Sequence, residues 1–134
     1  MSPLDQAIQN SMATIPDCIA AGYVDLPSGM LLGMKGVGRH PKEAMELLSA
    51  ATADLFQGPN VTMIETMFRE ARGTHDGGRH YFQEIIVNSD NLIHIFLRAR
   101  TQQQAATFVC RKSANLGMSL VKARMAMPAI EAAL

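Results

Sequence analysis

The second half of this chain constrains the fold most, because three β-rich runs follow one another and then give way to a helix start. The runs cover residues 81–87, 92–98 and 105–110 and are crowded with aromatic and β-branched side chains, as strands are. An Asn-Ser-Asp-Asn sequence at 88–91 separates the first two runs and is typical of a turn. Ser113 then provides a capping hydroxyl for a closing helix. This order predicts an antiparallel three-stranded meander followed by a helix.

The first half predicts a short helix, a hairpin and a long central helix. Ser2 and Pro3 supply a cap and a first-turn proline, and Pro16 ends the helix that they begin. Two strand-like runs at residues 18–26 and 30–35 flank a Pro-Ser-Gly turn and predict the hairpin. The central helix is expected to begin at Pro41, and its apolar positions recur every three or four residues: Ala44, Leu47, Leu48, Ala51 and Leu55.

A Gly-Pro pair at 58–59 predicts a break or sharp kink after the central helix, because proline lacks a backbone donor and clashes with the preceding turn. Helical spacing resumes over residues 61–72 through Ile64, Met67, Phe68 and Ala71, and residues 73–79 predict a flexible surface loop. The closing helix has a predicted apolar stripe of Ala114, Gly117, Met118, Val121 and Met125. Gly117 is expected to bring this helix close to the sheet, and Pro128 is expected to end it before a short tail.

The predicted fold class is therefore α/β (α+β), a five-stranded antiparallel sheet with helices, in the order α-β-β-α-β-β-β-α. Both alternating faces of the run 92–98 carry apolar side chains. Because successive strand residues point to opposite faces, helices are expected on both sides of the sheet.

The composition narrows the classes of function. The chain has 134 residues, 48% of them hydrophobic, and a formal net charge of zero. These values predict one domain over residues 1–134 and give no electrostatic footprint for nucleic acid or an anionic membrane. The longest apolar runs are far short of the ~20 residues that a membrane-spanning helix needs. Cys18 and Cys110 fall inside predicted strands without C-x-x-C spacing, so we expect buried free thiols and a cytoplasmic location.

Four segments of the sequence resemble the roadblock (dynein light chain) domain of the roadblock–longin superfamily. They are the hairpin GYVDLPSGMLL at 22–32, the strand EIIV at 84–87, the segment DNLIHIF at 90–96 and the helix start SANLGM at 113–118. The resemblance covers nearly the whole chain and implies a roadblock-like fold. Residues 59–78 depart from it, because they are longer than the family's usual link between the central helix and the third strand. We interpret them as a helical or loop insertion.

The resemblance implies a homodimer or a paired heterodimer, in which central helices and third strands meet across a two-fold axis and join the two sheets. It also implies binding to other proteins, notably Ras-like small GTPases or motor subunits, and some bacterial members look like activators of a polarity GTPase. The family has no shared catalytic residues. No catalytic residue, cofactor or metal ligand is therefore assigned to this chain.

Local motifs for metal or phosphate binding are weak. His75 and His80 flank Asp76, but their loop contains two consecutive glycines and a zinc site needs three or four ligands in fixed geometry, so we expect no metal. Residues 33–39 place two cations among glycines, yet they match neither the Walker nor the dinucleotide pattern and predict a flexible connection.

Nucleophilic chemistry is not expected either. The apolar neighbours of Cys110 should raise the pKa of its thiol and make a Cys–His pair unreactive. His94 alternates with apolar residues and is expected to pack in the sheet rather than act as a base. Four basic residues near strand ends, Arg98, Arg100, Arg111 and Lys112, favour solvated strand edges, with an acidic partner surface as the alternative.

These observations favour a non-enzymatic regulatory or scaffold subunit that forms a homodimer and binds a partner, such as a Ras-like small GTPase or a motor or scaffold protein. The dimer surface is expected on the central helix and on the first strand of the meander, at Leu47, Leu48, Ala51, Leu55, Tyr81, Gln83, Ile85 and Val87. Two alternatives are a small-molecule sensor, which needs a cavity of at least ~300 Å³ under the sheet, and an enzyme.

Overall fold

The computed structural model describes residues 1–38, 42–73 and 79–134, without the side chains of residues 42–44. The elements in these segments are α1 (Pro3–Thr14), β1 (Cys18–Asp25), β2 (Met30–Gly36), α2 (Lys42–Gln57), α3 (Pro59–Arg72), β3 (Glu84–Asn88), β4 (Leu92–Arg98), β5 (Gln104–Arg111) and α4 (Leu116–Ala132). The predicted helix start at Pro41 and the side chain of Ala44 lie outside the described residues. The strands form one antiparallel sheet in the order β2-β1-β5-β4-β3.

Helices lie on both faces of this sheet, so the predicted fold class is confirmed. On one face α1 and α4 pack over a core that includes Ile8, Ile95, Phe108 and Ile130. On the other face the end of α2 packs through Phe56 onto a smaller cluster with Leu26, Phe96 and Ala105. The hydrophobic effect thus assembles the layers from both sides of the buried central strands, as the two apolar faces of β4 predicted.

The close packing of α1 on β2 depends on Gly33. A Cβ atom built on this glycine would lie 3.0 Å from Leu4 Cδ2 and 3.1 Å from Ile8 Cδ1, which is tighter than an ordinary van der Waals contact. Gly33 therefore belongs to the packing of α1 and lies inside a strand, so the predicted flexible connection at 33–39 is wrong for its first four residues. Arg39 lies outside the described residues.

Both terminal helices begin with a capping side chain. The cap of α1 is the predicted one, whereas the cap of α4 is a different residue. The Ser2 hydroxyl accepts a hydrogen bond from the backbone N–H of Asp5 at 3.1 Å, as expected. In α4 the cap is Asn115, whose side-chain oxygen accepts from the backbone N–H of Met118 at 3.0 Å. The predicted cap at Ser113 is therefore wrong by two residues. Asparagine and serine are comparable caps, so local sequence does not choose between them.

Helix α4 also continues through Pro128 to Ala132, so the predicted helix end and tail are wrong. Proline removes one backbone hydrogen bond from a helix interior and clashes with the preceding turn. Met127 and Ile130 on either side of it are buried in the core, and Ile130 is only 1% exposed. The burial of these side chains outweighs the proline penalty, because each fully buried apolar side chain contributes about 1.5–3 kcal/mol.

The break between α2 and α3 falls where the Gly-Pro pair predicted it. Gly58 caps α3 without a side chain, and Pro59 occupies the first turn of that helix. A Cβ on Gly58 would lie 2.8 Å from the carbonyl oxygen of Asp54, so only glycine lets the chain turn this tightly out of α2. Gly73 ends α3 with a left-handed backbone, at φ 65°.

Candidate protein-interaction surface

Strand β3 lies at the edge of the sheet, pairing with β4 and with no other strand of the described residues. It begins later than predicted, because side chains hold the preceding backbone. The carboxylate of Glu65 accepts the backbone N–H of Tyr81, and the side-chain oxygen of Gln102 accepts that of His80 at 3.0 Å. Two of the predicted interface residues, at positions 81 and 83, therefore precede the strand rather than belong to it.

A buried carboxylate fastens this preceding segment to α3. Glu65 is only 1% exposed, and it is the one buried residue among those described in α3. Besides the bond from Tyr81, its carboxylate faces Nδ1 of His80 at 3.3 Å. Because an unpartnered buried charge is strongly unfavourable, these two contacts define how α3 docks. These polar contacts hold the helix to the body of the protein together with one residue of its apolar stripe, Phe68, whose ring centroid lies 5.1 Å from that of Tyr81.

The Arg98 side chain, at the end of β4, connects this strand to the end of α2, to the segment before β3 and to the β4–β5 turn. Its guanidinium donates to the carbonyl oxygens of Phe56, Phe82 and Gln102 at 2.9, 2.9 and 3.1 Å, and to Oε1 of Gln57 at 3.0 Å. The side chain also lies over the Phe56 ring, and burial lowers its pKa to about 10. The expectation of a solvated strand edge is thus wrong for Arg98, which is a buried structural cation, while Arg100, Arg111 and Lys112 are exposed.

The outer face of α2 presents the predicted apolar stripe to solvent. Leu47 is 72% exposed, Leu55 is 40% exposed, and Ala51 between them is also exposed. These residues are spaced by four, so they follow one another along a single face of the helix. Leu48 differs from them, because it is half-buried and lines a cavity between α2 and the sheet.

An open groove connects this stripe to the β3 edge. It has a volume of about 780 Å³ and is lined by Ala51, Asp54 and Leu55 of α2, Val61 of α3, and Phe82, Glu84, Ile85 and Ile86. The structure therefore brings three of the predicted interface residues, at positions 51, 55 and 85, to one continuous surface. Val87 is exposed further along the same strand.

Two further apolar faces are exposed that the sequence analysis assigned to helix packing. In α3 the predicted stripe points outward, with Ile64, Met67, Phe68 and Ala71 all exposed. In α4 the buried residues are Ser119, Ala123, Met127 and Ile130, whereas the predicted stripe residues Gly117, Met118, Val121 and Met125 are exposed. Apolar positions surround α4 almost completely, so their spacing could not show which face packs on the sheet.

On its opposite side, β3 is linked to α4 by an ion pair. Arg124 donates from Nε to Oε2 of Glu84 at 2.8 Å and from Nη2 to Oε1 at 2.6 Å. Hydrogen bonding to Arg124 lowers the pKa of the Glu84 carboxyl. This two-point contact orients the strand whose outer edge is free.

The cysteines and the sheet histidine lie in different environments. Cys110 is fully buried, as expected, but Cys18 is only partly buried, and the facing thiols lower the pKa of Cys110 and raise the pKa of Cys18. The expectation of a raised pKa for Cys110 is therefore wrong, because it considered sequence neighbours and not the facing thiol.

His94 stacks on Phe96, and burial lowers its pKa, which fits the predicted packing role.

Metal sites, enclosed cavities and membrane spans were sought among the described residues. No group of three or more His, Cys, Asp and Glu side chains that could hold a metal is found in the part of the chain that the structure describes. His75 and Asp76 lie outside it, and the expectation of no metal at this loop stays a prediction. The cavity beneath α2 measures about 40 Å³, which is room for a few water molecules. Among the described residues, no helix is both long and apolar enough to cross a membrane.

Comparison of the fold with solved structures gives a consistent result. A Roadblock/LC7 domain from Streptomyces avermitilis superposes with a TM-score of 0.70 at 11% identity, covering 96% of this chain and 94% of the other. MglB from Myxococcus xanthus gives a TM-score of 0.70 at 12% identity, covering 95% and 90%. The gliding protein MglB from Thermus thermophilus gives a TM-score of 0.70 at 15% identity, covering 96% and 85%. No protein-family model matches the sequence, and no curated protein matches it significantly.

The five-stranded antiparallel sheet, flanked by helices and ending in β3, which pairs with only one other strand among the described residues, defines an α+β protein. Its particular architecture is the roadblock-domain fold, as the segments in the sequence predicted. At identities this low the superpositions establish the fold alone.

Proposed function

We propose that the protein is a non-enzymatic regulatory or scaffold subunit that works as a homodimer and binds a partner protein, a Ras-like small GTPase. The observation that carries the proposal is the continuity of the exposed α2 stripe with the free β3 edge through the open groove. The similarity of the fold to MglB proteins supports a scaffold or regulatory role. A motor or other scaffold protein is the second kind of partner that the roadblock resemblance implies.

In the proposed dimer, two α2 stripes pack together and two β3 strands pair through their free edges. An unpaired edge strand is a template for association, and a two-fold axis closes both edges at once. The contact combines Leu47, Ala51 and Leu55 with Ile85 and Val87. We place the other predicted interface residues, Leu48, Tyr81 and Gln83, at the edge of this contact.

The chain's zero net charge leaves little electrostatic repulsion between copies. We further propose that residues 1–134 act as one domain, with 59–78 as an insertion, and that the protein works in the cytoplasm.

The alternative function, a small-molecule sensor, requires a cavity of at least ~300 Å³. The cavity under α2, at about 40 Å³, is too small for this, and the larger groove of about 780 Å³ is open to solvent and is assigned here to the dimer contact.

The dimer is tested by placing a charge on each exposed apolar face in turn. Leu47→Asp puts a carboxylate on the α2 stripe at a position that is 72% exposed, so it removes little from the core. Met125→Asp makes the same change on α4, at 66% exposure on the opposite face of the sheet, and is the matched control. Light scattering should give twice 14.6 kDa for the wild type and for Met125→Asp, and 14.6 kDa for Leu47→Asp. A monomeric wild type contradicts the dimer, and a dimer broken only by Met125→Asp moves it to α4.

Partner binding is tested with the same variants. Affinity capture with the tagged wild type from the native cell, followed by mass spectrometry, should enrich a Ras-like GTPase whose retention depends on the bound nucleotide. Ile85→Asp, with circular dichroism to check its fold, should lose both dimer and GTPase, because the charge lies in the pairing strand. A folded Ile85→Asp monomer that holds the GTPase with unchanged affinity rules out a surface made by both subunits. Turnover of a metabolite by the purified protein would remove the adaptor function altogether.

A further inference from the structure

A register shift aligns the two cysteines across the adjacent strands β1 and β5, at one end of their ladder. In the β1–β5 ladder Ala20 pairs with Val109, so an unbroken ladder would set Cys18 opposite Arg111. The ladder instead shifts by one residue between Cys18 and Ala20, and Cys18 becomes the direct partner of Cys110. The extra residue at this bulge is Ile19. The two thiols therefore face one another because of a specific irregularity and not because of a uniform repeat.

The direct pairing of the two residues suits the Cα spacing of a disulfide. Directly opposed residues of antiparallel strands have Cα atoms about 4.5–5.5 Å apart, and disulfides usually join Cα atoms about 4.4–6.8 Å apart. Both side chains lie on the α1/α4 face of the sheet, Cys110 inside the core and Cys18 packed against it. The Cys18 thiol donates a hydrogen bond to the carbonyl oxygen of Ala20 at 3.3 Å, and the facing thiols lower the pKa of Cys110 and raise that of Cys18.

We infer that Cys18 and Cys110 are a redox-modifiable site, which a hydroperoxide converts into an intrachain disulfide. Both cysteines are free thiols in the structure. Cys18 is partly exposed and Cys110 is fully buried, so the oxidant reaches Cys18 first, and the raised pKa of the Cys18 thiol makes this first step slow.

The chemistry balances in two steps. The Cys18 thiol reduces the peroxide O–O bond, becoming a sulfenic acid and releasing an alcohol, or water from hydrogen peroxide. Cys110 sulfur then attacks Cys18 sulfur, the S–O bond breaks, and the hydroxyl leaves as water with the Cys110 proton. A thiol reductant restores both cysteines by exchange.

The bond would join the two ends of the chain's core. Cys18 begins β1, just after α1, and Cys110 lies near the end of β5, just before α4. A disulfide here closes most of the chain into one loop, which restricts the unfolded state and stabilises the folded one. Strand β4 separates this site from β3, so the inference is independent of the proposed dimer.

The test treats the purified wild-type protein with a small excess of hydrogen peroxide and then compares it with a sample reduced by dithiothreitol. Intact mass should fall by two hydrogen atoms, both thiols should disappear, and digestion should yield one linked peptide pair containing Cys18 and Cys110. The melting temperature should rise by roughly 5–10 °C and return on reduction. Cys18→Ser is the control, because it keeps a small polar group at the partly exposed position. It should show neither the mass loss nor the reversible rise.

The inference is overturned if peroxide adds oxygen atoms to the sulfurs without the loss of hydrogen. A disulfide that joins two chains, seen on a non-reducing gel, overturns it equally. So does an intrachain bond that forms only after the protein is unfolded in urea, since the native register would then not be its cause. Each of these readouts is made on the wild-type protein, so none depends on whether a variant folds.

Discussion

Replacement of Arg98 by methionine tests whether a single buried cation holds the proposed interaction surface in place. The guanidinium makes four hydrogen bonds, to the end of α2, to the segment before β3 and to the β4–β5 turn. Hydrogen bonds to a charged group contribute roughly 1.5–3 kcal/mol each, or about 6–12 kcal/mol for the set. Methionine avoids the several kcal/mol that burying the charge costs. We therefore expect Arg98→Met to lower the free energy of unfolding by about 3–5 kcal/mol.

The assay is urea unfolding at neutral pH, followed by far-UV circular dichroism and analysed by linear extrapolation. Arg100→Met is the matched control, because the Arg100 side chain is exposed and the bond from Arg100 to Glu131 is donated by the backbone N–H, which the substitution keeps. Exposed substitutions of this kind usually change stability by less than about 0.5 kcal/mol. Because Arg98 joins α2 to the β3 segment, Arg98→Met should also weaken self-association. Equal, small effects of the two variants would refute the structural role that the hydrogen bonds assign to Arg98.

Three further predictions concern packing and charge. Gly33→Ala should lower the free energy of unfolding by about 1 kcal/mol or more in urea titration, because the added methyl group meets the Leu4 and Ile8 side chains. Gly117→Ala is the control: a Cβ at this position in α4 lies 3.6 Å from Asn115, so the change should be neutral or stabilising by up to about 1 kcal/mol. His94 has a folded pKa below its ordinary 6.5, so the unfolded state binds the proton more readily and the His94 contribution to stability, fully present above pH 6.5, is lost as the pH falls. His94→Asn should therefore lose less stability than the wild type between pH 7.5 and 5.5 in thermal melts, and parallel curves would contradict this. Arg124→Met should cost only a few tenths of a kcal/mol by urea titration, since the Glu84 pair is largely exposed, and a loss above 2 kcal/mol would contradict this.

Most of the fold was predictable from local patterns. Strand β4 begins and ends where its β-branched and aromatic run does, and the Gly-Pro pair ends α2 at Gln57. Boundaries failed where a distant side chain competes with the backbone. The run that was predicted to begin β3 at residue 81 is held instead by Glu65, which precedes it by 16 positions. Such a contact leaves no periodic signal in the sequence.

The sequence by itself determined the order of the elements, the apolar faces of the sheet and the exposed stripe of α2, because side-chain periodicity and turn chemistry are local properties. Only the tertiary structure decided which face of α3 and α4 is buried, because both helices offer more apolar surface than the sheet covers. It also decided that Arg98 is a buried cation and that Cys18 faces Cys110. Burial and register depend on what stands opposite a residue, and a one-residue bulge changes that partner without changing the composition of either strand.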